Sequence, residues 1–369
     1  MEKNTIELSI IIPSANEMFL KDTIEDILKN KEANTEVIAT LDGKWADPPV
    51  PIYPHVSIIY VPKSVGMRAA SNLAAKLAKG KYILKCDAHC SFDKGFDRKM
   101  LEAFKITGDN VTMVPTMRNL HAFNWRCHRC GWTKYQGPTP TRCEGCHDSR
   151  FIRRKIIWVG KERPQSNSYT FDSNPHFQYF NEYTKRPEYK ESLKKTGITE
   201  SMSLQGSAFM CTREKYWELK LSDEELGNWG NQGIEVACKT WLSGGRVLVN
   251  HNTWYAHMFR TQGEGFGFPW EVSGRDCQKT KNNVRDLFWE HKWPQQTRPL
   301  SWLLEKFWPI PANKNSIGWT DDALKSIKES ESVFSNLRTE KLGVLGIVPS
   351  VPSPMADKAT PMSSDRIRK

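Results

Sequence analysis

The first hundred residues alternate between two hydrophobic rhythms. Residues 6–14, "IELSIIIPS", form a continuous apolar run, the pattern of a strand buried on both faces. Residues 17–30, "EMFLKDTIEDILKN", place Leu20, Ile24, Ile27 and Leu28 on one helical face. "TEVIATLDG" (35–43) and "VSIIYVP" (56–62) are two further strands. "VGMRAASNLAAKLAKG" (65–80) predicts an alanine-rich helix closed by Gly80, and "KYILKCDAH" (81–89) the next strand. The order β-α-β-β-α-β predicts an α/β fold with a Rossmann-like open sheet. In such sheets ligands sit beyond the carboxyl ends of the strands, where Asp42, Asp87 and His89 all fall.

The rhythm breaks after residue 115. Residues 116–160 contain "CHRCGWTKYQGPTPTRCEGC", and 161–200 are polar, aromatic and irregular. Globular patterning returns over 201–300, including "NWGNQGIEVACKTWLSGGRVLVN", a helix followed by a strand, and "NNVRDLFWEHKW", a helix. The expected organisation is a nucleotide-binding half (1–115), a zinc-ribbon insertion (116–160), an irregular insertion (161–200) and an acceptor-binding half (201–300). A helical extension (301–345) and a Pro- and Ser-rich tail (346–369) follow.

Composition narrows the class. Apolar residues make up 38% of the chain, enough for a core, and no run approaches the length of a membrane span. The N-terminus has no signal-peptide layout, so the expected setting is the cytoplasm, with the nine cysteines reduced. The formal net charge is +11, unevenly spread. Between Arg118 and Arg163 eleven basic residues face only Glu144, Asp148 and Glu162. Such a local excess suggests a polyanionic partner; a merely solvated basic surface is the plainer reading.

Cys127-x2-Cys130 and Cys143-x2-Cys146 have the spacing of a tetrahedral structural zinc site, with Gly131 and Gly145 in the knuckle turns. His128 and His147 are expected to be bystanders. Arg126, Arg129, Trp132, Lys134, Tyr135 and Arg142 interleave cations with aromatics, a composition that grips phosphates and stacks on bases. A module that only buttresses the fold is equally compatible.

Several stretches, in order, resemble the GT-A glycosyltransferases. The family most resembled is the polypeptide N-acetylgalactosaminyltransferases, within the family-2-like superfamily. "SIIIPSANE" is similar to the family's first strand, and "EVIATLDG" to its second. "VGMRAASNLAAKLAKGKYILKCDAHCS" resembles the helix leading into the Asp-x-His metal motif. "NWGNQGIEVACKTWLSGGRVLVN" resembles the Trp-Gly-Gly-Glu-Asn segment. "WYAHMFR" resembles the stretch bearing a second metal-binding His, and "TQGEGFGFPW" the mobile lid after it.

The resemblance implies that Asp87, His89 and His257 bind a divalent ion, Mn2+ or Mg2+. It implies that Pro13, Asn16, Glu17, Asp42, Arg68 and Arg260 contact a nucleotide sugar, expected to be a UDP-sugar. Trp229, Gln232 and Glu235 would line the donor sugar or the acceptor side. The lid (261–275) would close over the diphosphate, with Gly263, Gly265 and Gly267 giving it freedom.

The departures also matter. Gln232 stands where the family has Glu and cannot act as a base, so either Glu235 serves or the reaction is retaining, the outcome preferred here. The chain has no counterpart of the family's lectin domain or membrane anchor, which points to another acceptor. The expected acceptor is a hydroxymethylated base in DNA, in a bacterial or phage-infected cell. The alternatives are a cell-envelope polymer or protein acceptor, and a zinc-ribbon nucleic-acid-binding protein with an inactive transferase domain.

Overall fold

The computed structural model describes residues 5–164, 166–260, 267–270, 273–312 and 318–331. Most of the lid reading (261–266 and 271–272, with Gly263 and Gly265), residues 332–345 of the extension and the whole tail reading lie outside the described residues.

The first half forms as the hydrophobic rhythm predicts. β1 (Leu8–Ser14), α1 (Leu20–Asn30), β2 (Thr35–Asp42), β3 (Val56–Val61), α2 (Met67–Leu77) and β4 (Tyr82–Cys86) follow one another. β1 pairs in parallel with both β2 and β4, and β2 with β3. The α1 face carrying Leu20, Ile24 and Ile27 is fully buried, and Leu28 packs at its margin. α2 buries Ala70, Ala74 and Ala75, whose small side chains let its backbone approach the sheet. Gly80 is not a left-handed cap of α2, which ends three residues earlier at Leu77 and is followed by an extended Ala78. It is required because a Cβ there would lie 2.7 Å from the Ser9 amide nitrogen.

β5 (Cys90–Phe92) and α3 (Phe96–Thr107) lead into β6 (Val111–Cys127), a 17-residue strand. β7 (Thr133–Tyr135) and β8 (Ile152–Pro164) both pair antiparallel with β6. The expected domain limits at 116 and 160 therefore fall inside strands. The cysteine module is the far end of a central strand and its hairpin partner, because β6 continues without a break from the main sheet into the module.

Residues 161–200 are more ordered than their polarity suggests. They hold β9 (Tyr169–Phe171), β10 (Phe177–Tyr179), α4 (Pro187–Thr196) and β11 (Ile198–Glu200). Buried tyrosines explain this: Tyr169, Tyr183 and Tyr189 supply core surface that a count of aliphatic residues misses. β12 (Ala208–Thr212), α5 (Arg213–Glu218), α6 (Gln232–Leu242), β13 (Arg246–His257), α7 (Gly274–Trp289) and α8 (Leu300–Phe307) complete the described elements used below.

The main sheet runs β11-β13-β6-β12-β4-β1-β2-β3, with β5 on β13 and both β7 and β8 on β6. One apolar cluster joins α2, α6, α7 and α8 to the sheet, and a second joins α1 and α3 to it. A third, smaller cluster ties Phe19, Phe123 and Trp125 to Cys127, Cys143 and Met258.

Candidate active site and metal centres

The carboxyl ends of β1, β2 and β4 open onto a cavity of about 1170 Å3. Asp87 follows the end of β4, His89 precedes β5, and His257 ends β13. β13 pairs with β5 at His257 and Cys90, which fixes the two histidines side by side. The ligand-capable atoms of Asp87, His89 and His257 lie within 4.8 Å of one another. His89 Nε2 is 3.0 Å from His257 Nε2, and His257 Nε2 is 3.3 Å from Asp87 Oδ2.

The surrounding groups prepare these atoms for a cation. His89 Nδ1 faces Glu17 Oε2 at 3.0 Å, a carboxylate placed to take the ring proton on that side and leave Nε2 to a cation. Burial pushes the His257 imidazole down to about 4, which keeps it neutral. Burial opposes ionisation of Asp87, yet Lys85 and His257 beside it hold its carboxyl well below the ordinary range. Two converging imidazole nitrogens and a carboxylate oxygen, braced by an outer carboxylate, fit a hard or borderline divalent ion.

Glu17 is the hub of this arrangement. Its carboxylate accepts from Arg260 Nη2 at 2.9 and 3.0 Å as well as facing His89. Burial raises its pKa, but His89 and Arg260 outweigh that and leave it lowered. Arg260 also donates to the Gly267 carbonyl at 2.9 Å, and Asn16 donates to the Pro269 carbonyl at 2.7 Å. Pro13, Asn16, Glu17 and Arg260 all line the cavity, as does Asp42. Both oxygens of Asp42 are committed to the loop before α2. They accept from Ser64 Oγ (2.8 Å), Val65 N (2.7 Å) and Gly66 N (3.0 Å).

Two of the residues expected to meet substrate are placed elsewhere. Arg68 is 1% exposed and Glu235 is fully buried, and neither lines the cavity. Arg68 donates from Nε and Nη2 to Glu235 Oε2 at 3.0 and 2.8 Å, and to the carbonyls of Gly227 and Gly230. Glu235 Oε1 accepts from Lys239 Nζ (3.1 Å) and the Asp223 amide (3.0 Å). With every oxygen committed to cations and backbone, Glu235 cannot approach an acceptor as a base. This network instead holds the turn that presents Trp229 and Gln232.

Trp229 and Gln232 do line the cavity. Trp229 packs edge-on against Phe268 with ring centroids 5.3 Å apart. Gln232 starts α6, and its Nε2 donates to Ser222 Oγ at 3.0 Å while Oε1 is buried with no partner. Two further cavity residues carried no motif in the sequence: Lys85, from the middle of an apolar strand, and Asp276, in the first turn of α7. Alternation along β4 was the available signal for Lys85, since it puts that side chain on the face of Asp87. Cys86 and Cys90, which flank Asp87 and His89, are fully buried in the apolar core.

The second centre is built at the tip of the β6–β8 hairpin. Cys127 Sγ is 3.7 Å from Cys146 Sγ, and Cys130 Sγ is 3.4 Å from Cys143 Sγ. All four sulfurs lie within 4.8 Å of one another. A tetrahedron with Zn–S bonds of about 2.3 Å has edges of roughly 3.8 Å, so these separations suit zinc with all four positions filled by thiolates. Gly131 has φ +80, as a knuckle turn requires. At Gly145 a Cβ would press to 3.1 Å from Cys130 Sγ. His128 and His147 are outside this group. The hairpin packs on the segment that carries Glu17: Phe19 stacks on Phe123 at 5.8 Å and contacts Trp158.

Residues 9–159 match the family model described as Glycosyl transferase family 2. In sequence the chain is similar to "Probable N-acetylgalactosaminyltransferase 6" of Caenorhabditis elegans, 23% identical over 244 residues, 65% of this chain and 34% of the relative. It is also similar to "Polypeptide N-acetylgalactosaminyltransferase 3" of Drosophila melanogaster, 21% identical over 341 residues, 77% of this chain and 43% of the relative. The chain thus spans less than half the length of these relatives. The crystal structure of GalNAc-T7 with UDP, GalNAc and Mn2+ superposes with a TM-score of 0.56 at 19% identity, over 79% of this chain and 50% of that chain. No described helix is long and apolar enough to cross a membrane. The chain therefore has the GT-A glycosyltransferase fold, is similar in sequence to polypeptide N-acetylgalactosaminyltransferases, and matches the family-2 glycosyltransferase model over residues 9–159.

Proposed function

We propose that this chain is a metal-dependent glycosyltransferase that takes its sugar from a UDP-sugar. The convergence of Asp87, His89 and His257 at the floor of the cavity, with Glu17 behind His89, carries this reading. These three residues would hold a divalent ion, which supplies neutralising charge to the departing diphosphate. Arg260, fixed by Glu17, presents a guanidinium on the same side. Trp229 offers an aromatic face to the sugar.

A retaining transfer is favoured. Gln232 carries no charge and Glu235 is locked between Arg68 and Lys239. Among the described residues Asp276 is the cavity carboxylate left over for an inverting reaction: Glu17, Asp42 and Asp87 all have committed partners. NMR of the product's anomeric proton, for wild type and Asp276→Asn, distinguishes the two.

The acceptor is a polyanion, and a hydroxymethylated DNA base is the specific form proposed. The support is how the hairpin sorts its basic residues. Arg129 and Arg150 pair with Asp148, and Lys134 with Glu144. Arg118 lies over Trp254, and Arg154 over Phe123 and Trp125. Among the described residues Arg126, Arg153, Lys155 and Lys161 have no carboxylate partner. Arg126 and Arg153 sit directly opposite each other across β6 and β8, an arrangement that costs stability unless an anion lies between them. Lys161 lies 5.2 Å from the half-exposed Tyr135 ring, a surface suited to phosphate and base together. A duplex base would have to flip into the cavity to react.

The test has two parts. Mn2+-dependent hydrolysis of UDP-sugars must occur and must vanish in Asp87→Ala; a folded wild type with no hydrolysis or transfer defeats the enzyme reading. Sugar transfer, read by mass, is then compared on hydroxymethylated DNA, plain DNA and cell-envelope polymers. Transfer to an envelope polymer alone defeats the DNA reading and leaves the transferase reading standing.

A further inference from the structure

β4 is a central strand of the main sheet, and all five of its residues are buried. The fourth is a lysine, and an ammonium in such a place is costly unless paired. Lys85 Nζ, on a side chain 2% exposed, donates to Asp87 Oδ1 at 2.5 Å and to the Gly206 carbonyl at 2.9 Å. Both Lys85 and Asp87 line the cavity. The other oxygen of Asp87, Oδ2, lies 3.3 Å from His257 Nε2, where the two imidazole nitrogens converge. One carboxylate therefore faces the Lys85 ammonium with one oxygen and the candidate metal position with the other.

The charges of the cavity floor cancel in pairs. Glu17 is matched by Arg260, and Asp87 by Lys85. The imidazoles must be neutral to act as ligands. Among the described residues, a divalent ion arriving alone thus meets no net negative charge there, and Asp87, the one anionic member of its ligand set, is already compensated. A nucleotide sugar brings one negative charge on each of its two phosphates, which balances the ion. An ammonium has three N–H donors, and among the described residues Lys85 uses two of them, which leaves the third to interact with that diphosphate in the proposed complex.

We infer that Lys85 makes ion binding depend on the nucleotide: it weakens the site for the bare ion and favours joint loading of ion and diphosphate. This rests on the reading of Asp87, His89 and His257 as the ion's ligands. A lysine that served only to fill space and satisfy the Gly206 carbonyl would leave that dependence unchanged.

The experiment is Mn2+ binding to the full chain, followed by the EPR signal of free Mn2+, with and without UDP. Wild type should bind Mn2+ more tightly with saturating UDP by on the order of tenfold, the ordinary size of coupling between two sites. Lys85→Met should bind Mn2+ alone more tightly than wild type and lose most of the coupling. Lys85→Arg, which keeps the charge, should retain it. Wild-type Mn2+ binding that UDP does not strengthen overturns the inference without any variant, so a misfolded Lys85→Met leaves it testable. A folded Lys85→Met with wild-type affinity and wild-type coupling also overturns it. Failure of wild type to bind Mn2+ under either condition overturns the metal reading itself, a distinct outcome.

Discussion

Replacing Glu235 with Gln separates a structural carboxylate from a catalytic one. Glu235 is fully buried and takes four hydrogen bonds, from Arg68 Nε, Arg68 Nη2, Lys239 Nζ and the Asp223 amide. Arg68 and Lys239 are themselves 1% and 0% exposed at their side chains. The amide keeps the shape but withdraws the negative charge between two buried cations, and Asp223 Oδ2, 3.1 Å from Lys239, is the remaining carboxylate. Breaking a buried pair from one side costs about 3–5 kcal/mol. Against a domain stability of roughly 5–15 kcal/mol, the variant should still fold but unfold at clearly lower urea. The assay is urea denaturation followed by tryptophan fluorescence, with UDP-sugar hydrolysis measured on the folded fraction. Stability should drop while the folded fraction keeps activity within a few-fold. A Gln variant within about 1 kcal/mol of wild type that has lost all transfer would refute the structural assignment and restore Glu235 as the base.

Three further outcomes are expected. Glu17→Gln removes the carboxylate that orients His89 and pairs with Arg260, and should weaken Mn2+ binding by roughly 10–100-fold in an EPR titration; unchanged affinity would mean that Glu17 does not hold His89. The purified chain should contain one zinc by elemental analysis, and Cys143→Ser should lose it while increasing protease cleavage between residues 127 and 152; full zinc retention would exclude Cys143 as a ligand. Burial lowers the His251 imidazole to about 4, with Thr116 and Thr199 hydroxyls as its partners. The unfolded chain then protonates it first, so its contribution is complete above pH 6.5 and is lost as pH falls toward 4. Over that window wild type should lose about 3 kcal/mol more than His251→Gln, and parallel urea-stability profiles would disprove it.

Much of the N-terminal part was legible because its signals are local. Continuous apolar runs and a 3.6-residue period gave β1, α1, β2, β3, α2 and β4 close to their observed limits. The Cys-x2-Cys pairs marked the four-cysteine cluster, a candidate zinc site, because ligand spacing within a knuckle is set by the chain itself. Asp87 and His89 were readable as a strand-end pair, whereas His257 entered through the resemblance, since 168 residues separate it from His89.

The roles of Arg68, Glu235 and Lys85 were not legible. Charged residues in the sequence carry no mark of which partner they meet, and here the partners lie on other elements: Arg68 on α2 reaches Glu235 on α6, and Lys85 on β4 reaches the Gly206 carbonyl. The basic stretch 118–163 shows the same limit. Its total charge was fixed by composition, but strand register divided it into residues neutralised by Asp148 and Glu144, residues stacked on aromatic rings, and the unpaired set on β6, β8 and their flanks. The sequence by itself determined the N-terminal strands and helices and the four-cysteine set, because these depend on neighbours a few residues apart. Only the tertiary structure decided which charges face the cavity and which lock the turns around it, because that depends on pairings between distant segments.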